Sequence, residues 1–211
     1  MKPYEKMNSQ NTALVVIDIV NGCCHEQCED GNLKFGKIRS MVPGLISFIK
    51  QFKETIKGQV IYTKITPWTK EFLPPNLREL YTDPACVYYS TDTTGFSEKF
   101  YEVQPEADDI VVTKNTYDTF ADNAFRQIIW DKGIKYLIIT GVFTDGCVLA
   151  TVCGGFQAGC NFVILKDLIE TTDEQVRQEL SGYLMRYTFP IMYGKTMTSK
   201  EFIDGWGGNT S

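Results

Sequence analysis

The chain has 211 residues, 43% of them hydrophobic and 22% charged, and a formal charge of −5. This balance suits one globular domain and excludes a disordered or fibrous chain. An acidic excess without a basic run excludes a surface for nucleic acid or anionic membranes. No apolar run approaches the roughly 20 residues of a spanning helix. Met1 to Gln10 lacks an apolar signal region, so a cytoplasmic location is expected.

In chain order, Ala13-Leu-Val-Val-Ile-Asp-Ile19 is a β-branched run that predicts a strand buried on both faces. Residues 20–36 read as a polar loop. Residues 38–57 show helical spacing through Met41, Leu45, Ile46, Ile49 and Phe52, and Val60 to Thr63 predicts a second strand. Residues 65–108 hold five of the eight prolines (Pro67, Pro74, Pro75, Pro84, Pro105) and read as a long excursion of the kind that covers sites in α/β domains.

Ile110 to Thr113 predicts a third strand, ending on Lys114, and Ala121 to Lys132 a helix. Tyr136 to Thr140 predicts a fourth strand. Asp145 to Gly159 predicts a helix with Val148, Val152 and Phe156 on one stripe. Phe162 to Leu165 predicts a fifth strand, Asp173 to Tyr187 a helix, and Pro190 to Met192 a sixth strand. Residues 1–10 and 204–211 read as flexible tails of a single domain spanning 1–211. Strands alternating with helices, with the strands continuously apolar, predict an α/β fold: a three-layer α/β/α sandwich around a six-stranded, mainly parallel sheet.

Ligands of such sheets bind beyond the carboxyl ends of the strands. Asp18, Lys114 and Cys147 all fall there. Cys147 lies where a buried strand turns into a helix, so first-turn N–H groups and the helix dipole favour a thiolate and can hold an oxyanion. A neighbouring Lys114 ammonium would lower the thiol pKa further, and Asp18 is placed to take its proton and return it to a leaving group. Each residue also has an ordinary reading: a packed thiol, a turn aspartate, a solvated lysine. Spacing alone leaves the two readings level.

Four segments add a resemblance. They are Leu14-Val-Val-Ile-Asp-Ile-Val-Asn21, Asp109 to Phe120, Gly141-Val-Phe-Thr-Asp-Gly-Cys-Val148, and the stretch from Cys147 through Ala158-Gly159 to Asp167. The chain resembles the isochorismatase-like cysteine hydrolases from about residue 11 to 195. The resemblance implies a Rossmann-like sandwich and an Asp18–Lys114–Cys147 triad. It also implies a cis peptide between Val142 and Phe143, and an oxyanion hole from the N–H groups of Phe143 and Cys147. The implied reaction is hydrolysis of a small amide or ureido compound through a thioester. Members lacking the cysteine cleave a vinyl ether, so Cys147 favours C–N chemistry. Homodimers or homotetramers are a family habit, with the proline-rich excursion as one candidate interface. A catalytically silent metabolite-binding or scaffold member is the alternative reading, and a thiol redox sensor a weaker one.

Two departures bear on the substrate. Family members of the nicotinamidase type hold a metal through an Asp-x-His pair and a further histidine. The matching stretch here, Tyr62-Thr-Lys-Ile-Thr-Pro-Trp68, has neither, and His25 is the chain's single histidine, so no metal and no cofactor are expected. After Ile19 the opening motif continues Val-Asn-Gly-Cys and lacks the family's aromatic, which leaves Trp68, Tyr117 and Phe143 as candidate substrate walls, Trp68 being equally readable as structural. Cys23-Cys24-His25-Glu26-Gln27-Cys28 does not have zinc spacing, because adjacent cysteines do not readily reach one tetrahedral ion.

Overall fold

The opening β-branched run forms β1 (Thr12–Ile17), buried at every position in the computed structural model, which describes residues 2–31, 33–83, 90 and 92–207. The further strands are β2 (Gln59–Ile65), β3 (Ile110–Lys114), β4 (Tyr136–Val142), β5 (Asn161–Glu170) and β6 (Gly194–Met197). They form one sheet in the order β3-β2-β1-β4-β5-β6, and every neighbouring pair is parallel. The helices are α1 (Asn21–Cys24), α2 (Gly36–Thr55), α3 (Pro75–Leu80), α4 (Asn123–Asp131), α5 (Leu149–Gln157), α6 (Gln175–Tyr183) and α7 (Ser199–Gly207).

The two-residue alternation of a strand splits its side chains between two cores. Leu14 and Val16 of β1, with Tyr62 and Ile138, pack under α2 through Val42, Leu45 and Phe52, and under α7 through Phe202. Ala13, Val15 and Ile17, with Ile61 and Ile139, pack under Phe125 and Ile129 of α4 and Val152 of α5. Both faces of β1 are therefore dry, which is why its sequence reads as an unbroken apolar run. The α/β/α sandwich expected from the sequence is the fold observed.

Several local expectations change. Residues 21–24 are helical rather than loop. Pro190–Met192 is not a strand: it lies in wide, π-type helical turns, Leu184–Tyr193, that continue α6. The sixth strand comes directly after, at Gly194–Met197. An apolar run with one proline fits a strand as well as a helical turn, and only the packing of Leu184 and Phe189 into the second core decides between them. Phe156 is exposed although Val148 and Val152 are fully buried. Steps of four residues drift about 40° each around a helix, so Phe156 has left the buried stripe. The N-terminal stretch read as a tail lies against the sheet: Met7 is buried, and the Tyr4 hydroxyl donates to the carbonyl of Phe162 at 3.0 Å. Of the C-terminal tail, residues 204–207 belong to α7, and 208–211, like Pro84, lie outside the described residues. Among the described residues no helix is long and apolar enough to cross a membrane.

Candidate active site

The strand order reverses between β1 and β4, and a doubly wound sheet opens a crevice at such a point. Asp18 directly follows β1, Cys147 stands in the turn after β4, and Lys114 is the last residue of β3. Gly141 brings β4 close to β1 just below this point. Its φ is +105°, and a Cβ there would fall 2.1 Å from the Ile17 carbonyl oxygen. Only glycine fits such an approach. Asp18 itself has a φ of +51°, a left-handed conformation that aspartate tolerates better than most residues and that bends the chain sharply off the strand.

The structure brings the three predicted groups together. Lys114 Nζ lies 2.7 Å from Asp18 Oδ2 and donates to Cys147 Sγ at 3.2 Å and to the Thr116 carbonyl at 3.0 Å. Their relative exposures are 1% for Asp18, 2% for Lys114 and 8% for Cys147, so little water screens the group. Strand β2 separates β1 from β3, and Thr63 of β2 fills the gap: its hydroxyl donates to Asp18 Oδ1 at 2.8 Å. The sequence reading passed over Thr63. The available signal was a hydroxyl ending an otherwise apolar strand, on the edge that holds the other three groups.

The thiolate expected at rest is not what this environment favours. Burial pushes the Cys147 thiol up to about 12; Lys114 pulls it down, and the Asp18 carboxylate, which favours the protonated thiol, offsets that pull. Burial would lower the Lys114 ammonium, but Asp18 and Cys147 outweigh it and raise the group. Burial thus favours the protonated thiol beside the Lys114–Asp18 pair. The local charges around Cys147 suggested the opposite because its burial is not visible in the sequence. Alkylation of the substrate-free protein by iodoacetamide, followed at Cys147 by peptide mass spectrometry, is expected to be slow near pH 7.5 and still accelerating above about pH 9. A rate already level below pH 8 would show a resting thiolate instead.

The turn Thr144–Val148 is firmly held. Its entry peptide, Val142–Phe143, is cis, where the resemblance placed it. The Phe143 carbonyl accepts the N–H groups of Gly146 at 2.9 Å and Val148 at 3.1 Å. Asp145 receives a bidentate pair from Arg177, with Nε to Oδ2 and Nη2 to Oδ1 both at 2.7 Å, and the Thr171 hydroxyl at 2.6 Å. Burial opposes the charge on Asp145, but these hydrogen bonds hold its carboxyl below the usual range. The Arg177 guanidinium also lies 4.9 Å over the Phe143 ring, which stacks on Phe35 at 6.1 Å. The Phe143 ring, read from sequence as a substrate wall, is partly buried and also touches these neighbours.

Trp68 and Tyr117 do meet, with ring centroids 5.8 Å apart. Tyr81 joins them: the Trp68 indole donates to its hydroxyl at 3.2 Å, and the Tyr81 and Tyr117 hydroxyls are 2.7 Å apart. The cluster follows the ends of β2 and β3, on the edge that holds Lys114. Tyr81 sits in the irregular excursion, where periodicity offers no handle. In the cysteine-rich segment, Cys23 and Cys24 are buried and Cys28 is half-buried, each a free thiol. His25 Nδ1 accepts the Gln27 N–H at 3.1 Å and so caps a short helical turn. Among the described residues no three His, Cys, Asp or Glu side chains are grouped to hold a metal ion.

The chain is similar to known proteins in sequence and in fold. The chain is 23% identical over 171 residues to the "Secreted isochorismatase effector Isc1" of Verticillium dahliae, covering 81% of this chain and 78% of that protein. It is 35% identical to the ureidoacrylate amidohydrolase RutB of Yersinia enterocolitica over 82 residues, which span 39% of this chain and only 36% of that relative. Among solved structures, a cysteine hydrolase from Pseudomonas syringae pv. phaseolicola superposes with a TM-score of 0.80 at 17% identity, covering 98% of this chain and 97% of that one. N-carbamoylsarcosine amidase from Thermoplasma acidophilum does so with 0.68 at 20% identity, covering 92% and 97%. The isochorismatase domain model matches residues 12–197, a span that contains all six strands and the Asp18, Lys114 and Cys147 cluster, and the chain belongs to the isochorismatase family.

Proposed function

We propose that the chain is a cysteine-dependent amidohydrolase that cleaves the C–N bond of a small, non-peptide amide or ureido compound through a thioester. The observation that carries this reading is the position of Lys114 Nζ, 2.7 Å from Asp18 Oδ2 and 3.2 Å from Cys147 Sγ in a site nearly closed to water. A packed thiol and a turn aspartate do not need a buried ammonium between them.

The chemistry follows from the proton positions. Cys147 attacks the substrate carbonyl carbon as its proton passes to Asp18. Lys114 stabilises the charge while it moves from carboxylate to sulfur. The tetrahedral oxyanion is taken up by the backbone N–H groups of Phe143 and Cys147. Asp18 gives its proton to the leaving nitrogen, the C–N bond breaks, and ammonia or an amine departs. A water molecule, deprotonated by Asp18, attacks the thioester; the C–S bond breaks and the sulfur recovers its proton. Trp68 and Tyr117 provide an apolar wall for the organic part of the substrate. Burial favours the neutral thiol, so its proton passes to Asp18 as the bound carbonyl carbon presents the electrophile.

The ureidoacrylate and N-carbamoylsarcosine activities named for two of the relatives support ureido and carbamoyl compounds as the substrate class. The test is ammonia release from a panel of ureido acids, N-carbamoyl amines and primary amides, with hydroxylamine added to intercept the acyl-enzyme as a hydroxamate. Turnover of one class, diverted to hydroxamate, is the expected result. Binding across the panel without release of ammonia or amine would favour a silent metabolite-binding protein.

A further inference from the structure

We propose that the buried hydroxyl pair of Thr119 and Thr151 is a positioning element that fixes Lys114 against Cys147. The inference rests on the amidohydrolase reading and adds two residues that act through Lys114 rather than on the substrate. An ammonium has three N–H donors. Those of Lys114 go to Asp18 Oδ2 at 2.7 Å, Cys147 Sγ at 3.2 Å and the Thr116 carbonyl at 3.0 Å. Two of these partners are the reacting groups. The third, Thr116, is not, and its place decides where the ammonium points.

Thr116 stands in the chain between the end of β3 and a short helical turn, Thr119–Ala121. That turn is tied to α5: the Thr119 N–H donates to Thr151 Oγ1 at 3.1 Å, and the two hydroxyls are 2.9 Å apart. Both residues are fully buried. Thr151 lies four residues, about one helical turn, after Cys147. The contacts therefore close a circuit. It runs from the sulfur along α5 to Thr151, across to Thr119, back to the Thr116 carbonyl, and through the Lys114 ammonium to the sulfur.

The helix gives up stability to let this turn approach. Two successive interior positions of α5 are glycine, Gly154 and Gly155, although glycine weakens a helix interior relative to alanine. A Cβ on Gly154 would fall 2.2 Å from Asp118 Oδ2, and one on Gly155 2.3 Å from Cε2 of Phe120. Asp118 and Phe120 flank Thr119, and the Asp118 carboxylate accepts the Phe120 N–H at 2.8 Å, which holds the turn together. Two hydroxyls that only satisfied each other in a core would not require this seat. The turn lies flush on α5, and the residue at its centre bonds the helix one turn from the nucleophile.

Thr151→Val removes the acceptor, and Thr151→Ser keeps it. On the substrate found by the panel, kcat of Thr151→Val is expected to fall about tenfold to a hundredfold, because a misaligned ammonium costs the chemical step. KM is expected to stay nearly unchanged, because Tyr117 keeps Trp68 and Tyr81 as partners. Thr151→Ser should return most of the rate. Ile164→Val, a change in the same core on β5, should lose stability without this loss of rate. Should no amide in the panel turn over, the amidohydrolase reading fails, and the joint is still tested by chemical denaturation. Thr151→Val and Lys114→Met are then expected to be coupled, the second change costing less in the background of the first. Several results overturn the proposal: a kcat for Thr151→Val within about twofold of wild type, a loss carried by KM, or a loss that Thr151→Ser or Ile164→Val shares. Where nothing is turned over, losses of stability that simply add overturn it.

Discussion

Cys147→Ala is expected to lower turnover by about a thousandfold or more while leaving the fold and the binding of substrate in place. The side chain is small and lies at the rim of a buried core, so removing one sulfur leaves only a small void. Amide turnover on the substrate found by the panel, read beside thermal melting and calorimetric binding, separates the outcomes. Loss of rate with retained affinity assigns the nucleophile. Near-normal turnover would remove the thioester from the mechanism, whatever the fate of the other two groups.

Lys114→Met is expected to affect stability as well as rate. The lysine and Asp18 side chains are 0% and 1% exposed, and removing one partner of a buried ion pair leaves the other charged without compensation. That change costs about 3–5 kcal/mol in comparable sites. The double variant Asp18→Asn/Lys114→Met removes both charges and is expected to recover most of that loss while remaining inactive. Chemical denaturation of wild type, single and double variants reads the coupling. A single variant as stable as wild type would show that the pair is solvated in solution.

The sheet was legible because its central strands are buried on both faces, and that burial writes an unbroken apolar run such as Leu14 to Ile17 into the sequence. The three reactive groups were legible by position, each at or just past a strand end on one edge, although resemblance rather than spacing separated them from ordinary residues. What escaped depends on contacts between distant segments. Nothing near Thr63 announces that its hydroxyl will meet Asp18, 45 residues away. Nothing near Arg177 announces Asp145, 32 residues away. The protonation of Cys147 escaped for the same reason: neighbours in sequence showed the charges, and only tertiary structure shows the missing water. The run around Pro190 misled because exposed apolar residues in a helical turn imitate a short strand.

The helix that exposes Val176 and Tyr183 outward, α6, also carries Arg177 inward. Arg177 grips Asp145, two residues from the sulfur, and lies over Phe143 at the other end of the same turn. The exposed side of this helix and the side that braces the turn holding Cys147 are opposite sides of a single rod. A disturbance of α6 is therefore expected to reach the sulfur through two contacts, the Asp145 pair and the Phe143 ring, without touching the site itself.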